Sequence, residues 1–167
     1  TSTYQETFCI ISKDNIYTKQ HTMWKDLILS DPRKTLSYTL MFCSVNVLLV
    51  YLLRVPYLIS NQSSLVDEYY VKNFVTSIPM DFVLVLIYLE IALFISRQMN
   101  LQRYFTKRLM VVVLTTAFIS GGFMFYFLNK PRDGSFFSRW FHSVTWRAVL
   151  YDMILVPSVF YGYEFLK

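Results

Sequence analysis

Four apolar runs, residues 36–53, 80–96, 109–128 and 146–166, constrain this chain more than any other feature. About 20 helical residues rising 1.5 Å each cross a hydrocarbon layer of about 30 Å, so each run has roughly the reach of a membrane helix. Composition points the same way. Of the 167 residues, 54% are hydrophobic and 16% charged, against roughly 25% charged in a soluble domain. Aromatic residues also gather near the ends of the runs, at Tyr57, Tyr104, Tyr126, Trp146 and Tyr163, where amphipathic rings favour the headgroup layer. The expected fold is an all-α integral membrane protein with four transmembrane helices.

Basic residues set the orientation of such a bundle. With four spans, ten lysines and arginines fall on one side, among them Lys19, Arg33, Arg103 and Arg108, and six on the other, among them Lys72, Arg132 and Arg147. The N- and C-termini are therefore expected on the same side. The polar segment 1–35 lacks the short apolar core of a signal peptide. Within it Met23, Trp24, Leu27 and Ile28 would share one helical face, as in a helix lying in the interface or a small cap packed on the bundle. Asp31 before Pro32 has the pattern of an N-cap followed by proline in the first turn.

The chain carries an internal echo. Leu65, Val66, Tyr69 and Tyr70 match Phe136, Phe137, Trp140 and Phe141 at an offset of 71, and Asp81 matches Asp152 at the same offset without a gap. Two copies of one unit are expected, 36–106 and 107–167, each a membrane helix, an interfacial amphipathic helix (65–75 or 136–144) and a second membrane helix with an aspartate near its start. Because each copy spans the membrane twice, the copies would run parallel, related by an axis along the membrane normal. Tyr69, Tyr70, Trp140, Phe141, Trp146 and Trp24 are the expected interfacial anchors.

Few residues are equipped for chemistry. Glu90, some ten residues into the second span, is expensive in hydrocarbon and is expected to hydrogen-bond a neighbouring helix, with proton relay as the functional alternative. Asn46, Thr115, Thr116 and Ser120 are potential partners. Asp81 and Asp152 are expected in the first turns of their helices, held by free backbone N–H groups and by Arg147 or Arg139. Asp81 and Glu90 would stand about 180° apart on one helix and so cannot pair. Ser120, Gly121 and Gly122 would let another helix approach closely. Two histidines, His21 and His142, and two cysteines, Cys9 and Cys43, form no ligand pattern. No catalytic residue, metal site, cofactor or nucleic-acid surface is expected.

The run Phe136-Phe137-Ser138-Arg139-Trp140-Phe141, then Arg147-Ala148-Val149-Leu150-Tyr151-Asp152 before the last apolar span, resembles small multi-pass membrane proteins of nucleocytoplasmic large DNA viruses, and Pro79-Met80-Asp81 fits the same pattern. The resemblance covers about residues 75 to 167. It implies a structural protein of a virion's internal membrane, whose partners are the lipid bilayer and other membrane or capsid proteins. The composition equally suits an accessory subunit of a large organellar membrane complex. Glu90 and the repeated aspartates leave a small oligomeric transporter or channel as the third reading.

Overall fold

The computed structural model describes residues 27–131 and 134–166, in two units that divide between Leu36 and Ser37. Trp24 and most of the proposed interfacial segment around it lie outside the described residues. In the first unit a 3-10 turn, Ile28–Ser30, leads to Asp31 in extended conformation. The Asp31 carboxylate accepts the Arg33 amide at 2.9 Å, capping helix α1 (Pro32–Asn46) where the Asp-Pro pair predicts a start.

The second unit is helical throughout its regular structure, with no strand among the described residues. Helix α1 continues as a π-helical stretch, Val47–Leu52, and is followed by α2 (Val55–Ser60) and α3 (Ser63–Asp67). A π-helical turn, Glu68–Lys72, links α3 to α4 (Phe74–Gln98). Then come α5 (Phe105–Leu128), α6 (Phe136–Val144) and α7 (Trp146–Leu166). Four segments, Pro32–Leu52, α4, α5 and α7, are long and apolar enough to cross a membrane. The protein is an all-α, multi-pass integral membrane protein. The order long, short, long occurs twice, with the extra helix α2 in the first half only.

Helix α5 packs along α4 and α7, while α2 and α6 lie against α7. The first span attaches through side chains. Tyr38 donates its hydroxyl to the Phe82 carbonyl at 2.6 Å, and the Tyr38 and Phe42 rings lie 4.9 and 5.3 Å from that of Phe82. Gly162 admits Met41, whose Sδ would lie 3.1 Å from a Cβ built on that glycine. Between α5 and α7, Arg108 donates both terminal nitrogens to the Glu164 carboxylate, each at 2.7 Å, with its guanidinium 5.3 Å from the Phe160 ring centre.

Three expectations need correction. Helix α4 starts at Phe74 and runs through Pro79, because a membrane helix can re-satisfy the carbonyl that a proline leaves without a donor. Asp81 is therefore two turns inside α4, and Asp152 is nearly two turns inside α7. Neither caps a helix. Second, Tyr69, Tyr70 and Phe141 are buried rather than displayed at an interface, since their rings pack on one another and on α6. Trp140 is half-buried, and only Trp146 among the described anchors is well exposed, at 56%. Third, a Cβ at Gly121 or Gly122 would meet nothing within 4 Å, so the close helix approach expected at these glycines is not made among the described residues.

Candidate functional site

The site begins with the ring-bearing segments between the spans. The π-helical turn Glu68–Lys72 folds Tyr69 and Tyr70 inward, and α6 brings up Phe136, Phe137, Trp140 and Phe141. Helix α6 is set by Ser135, whose hydroxyl accepts the Ser138 amide at 3.3 Å, and it buries Ser138, Phe141 and Val144. The two segments meet through rings. Tyr69 stacks on Phe136 with centroids 4.7 Å apart and 18° between planes, and lies 6.4 Å from Trp140. Phe127, near the end of α5, stacks on Phe141 at 5.4 Å.

Outside these rings Arg139 ties the segments together, donating to Glu68 Oε2 at 3.0 Å and to Oε1 by a second, shorter bond. The bonds from Arg139 hold the Glu68 carboxyl below the usual carboxylate range, and the same bonds raise the guanidinium.

Beneath the rings is a cavity of about 190 Å³. Asp81 of α4 and Asp152 of α7 both line it, with Tyr70, Tyr88 and Tyr151 beside them. Each aspartate accepts one short hydroxyl bond. Tyr69 donates to Asp81 Oδ1 at 2.6 Å, and Ser120 of α5 donates to Asp152 Oδ2 at 2.6 Å. Burial, and then the nearby Asp81 charge, push the Tyr69 and Tyr70 phenols well above their usual value. Both therefore stay protonated donors at any physiological pH.

The carboxylates lack the basic partners that the sequence suggests. Arg139 is engaged with Glu68, and Arg147 donates to the Ser60 carbonyl at 3.4 Å. Among the described residues neither aspartate has a salt bridge. Asp81 Oδ2 and the Tyr151 hydroxyl are buried without a close hydrogen bond, and the Tyr70 hydroxyl interacts with both residues.

The other candidates fall elsewhere. Glu90 is half-buried in α4 and does not line the cavity. Asn46 is buried and donates to the Phe42 carbonyl of its own helix at 3.0 Å, so the structure does not gather the intramembrane polar residues into one path. No group of three potential metal ligands occurs among the described residues. Sequence reasoning identified Asp81, Asp152 and Ser120 but not their convergence, and it missed Tyr151 and Phe127 as walls. One signal was available. Glu68 and Arg139, opposite in charge, stand 71 apart, the offset of the internal echo, and they pair in the structure. Compared with protein families, curated proteins and solved structures, the chain matches none.

Proposed function

We propose that this chain is a structural and assembly protein of a membrane, of the virion inner-membrane kind that the resemblance implies, joining lipid to capsid or other membrane proteins. One observation carries the reading. The third span buries only 17% of its most apolar window within its own chain, the least of the four, and the glycine pair on it is open. Small residues on a membrane helix allow a second helix to approach closely. Phe118 and Phe125, at 85% and 70% exposure, continue the uncovered surface.

The test is cross-linking of the protein in its native membrane, followed by sizing in mild detergent. Wild type should migrate in a larger assembly. Gly122→Leu should release it without lowering thermal stability, because a Cβ at this position meets nothing within 4 Å among the described residues. A wild-type protein that stays monomeric in both measurements would sink the proposal. Detection in purified virions supports the viral location, and detection in purified organelle complexes supports an accessory subunit instead. A transporter reading is favoured by the convergence of Asp81 and Asp152 on one cavity, and flux in proteoliposomes is the result that would establish it.

A further inference from the structure

The cavity under α6 combines three properties. It holds two carboxylates, no lysine, arginine or histidine lines it among the described residues, and most of its lining side chains are aromatic. A carboxylate in so apolar a place is costly without a counter-charge. The lysines and arginines that do sit over rings, such as Arg108 over Phe160 and Lys130 over Tyr126, lie outside it.

Two buried polar groups are left over. The Tyr151 hydroxyl lies in a residue only 5% exposed and makes no close hydrogen bond, although the Tyr70 hydroxyl interacts with it. Asp81 Oδ2 is likewise buried without a close hydrogen bond, although Oδ1 of the same carboxylate is bonded to Tyr69. The Tyr70 hydroxyl interacts with both groups, and each keeps capacity for a further partner in the space it lines.

We propose that this cavity binds a small organic ammonium group, with Asp81 and Asp152 as its counter-charge and the Tyr69, Trp140 and Phe127 rings among its walls. Ring faces attract alkylammonium ions, most strongly where water is excluded. The volume is adequate, since an apolar cavity of about 150 Å³ accepts a benzene ring. The Tyr151 hydroxyl would receive an N–H bond from a primary ammonium or face the hydroxyl of a choline-like one. The two aspartates of the cavity lie within two turns of the starts of α4 and α7, so an ammonium could come from solution or from a lipid headgroup. This site is independent of the assembly role proposed above.

The experiment uses the full chain in phosphatidylglycerol nanodiscs, titrated with choline, tetramethylammonium and the neutral tert-butyl analogue of choline. Calorimetry and Trp fluorescence read the binding. Both ammonium ions should bind, with the neutral analogue weaker by about tenfold or more. Asp81→Asn with Asp152→Asn keeps oxygens for the Tyr69 and Ser120 hydroxyls and should abolish the preference for charge. Phosphatidylcholine nanodiscs separate the sources. Choline binding lost there supports occupation by a lipid headgroup, and binding retained there supports a free amine. Equal affinity for choline and its neutral analogue, or no binding of either ammonium ion in phosphatidylglycerol, would overturn the proposal on wild-type protein alone, whether or not the double variant folds.

Discussion

Glu68 and Arg139 stand 71 positions apart in the chain and form a two-pronged ion pair. Tyr69 and Trp140, at the same separation, face each other across 6.4 Å, and Asp81 and Asp152 line one cavity. When two copies are related by a two-fold axis, equivalent residues meet at that axis. The first two pairs are contacts of the kind that a parallel duplication would produce, and the third pair shares a cavity.

The ion pair should be exchangeable. Glu68→Arg alone should lower the melting temperature by opposing two cations, and Glu68→Arg with Arg139→Glu should restore most of the loss. A pH series adds a sign. The depressed Glu68 value means that the pair stabilises above the unfolded-state value and is lost as pH falls through the folded one. The stability gap between wild type and Glu68→Gln should therefore close on acidification below the usual carboxylate range. A gap that widened there would contradict the pairing.

Removal of the hydroxyl donors tests how the aspartates are held. Tyr69→Phe and Ser120→Ala should each destabilise the fold by about 1 kcal/mol, since each leaves a buried carboxylate oxygen without its bond. Chemical unfolding in detergent measures the effect. Unchanged stability in both variants would mean that the 2.6 Å bonds contribute nothing net.

The Arg108 and Glu164 side chains are only 10% and 14% exposed, so loss of one partner strands the other. Arg108→Ala should cost about 3 kcal/mol. Arg108→Lys should cost less, because it keeps the charge and forfeits the second, parallel bond. A lysine variant as unstable as the alanine one would argue against this ranking.

Thr145 joins α6 to α7 with φ 52° and ψ −131°, a conformation that a β-branched residue adopts only under strain. Thr145→Gly should raise stability by about 1 kcal/mol, the relief exceeding the extra entropy of the unfolded glycine. Thermal unfolding is the readout, and a lowered midpoint would show that the Thr145 hydroxyl matters more than its backbone.

The four spans were legible in the sequence because length and hydropathy dominate the behaviour of a chain in lipid. The aspartates were visible as well, but their setting was not. Starting the second run at residue 80 put Asp81 in a first turn, whereas neighbouring helices make a proline such as Pro79 tolerable well inside a helix. The rings of Tyr69, Tyr70 and Phe141 suggested a headgroup belt, since local sequence cannot distinguish a ring that faces lipid from one that faces another ring. That choice is made by contacts between segments about 70 residues apart. The 71-residue offset was the only sequence feature that related those segments to each other.

The two π-helical stretches touch. The Tyr51 hydroxyl, from Val47–Leu52, donates to the Tyr70 carbonyl in Glu68–Lys72 at 3.0 Å, and the Tyr70 side chain forms part of the cavity wall. A membrane helix answers a change in bilayer thickness by changing its tilt. At the first span that motion acts on Tyr51, and through one hydrogen bond on the backbone that carries Tyr70. The Tyr51–Tyr70 bond ties the first span to the wall of the cavity, and Tyr51→Phe is the substitution that would cut that tie.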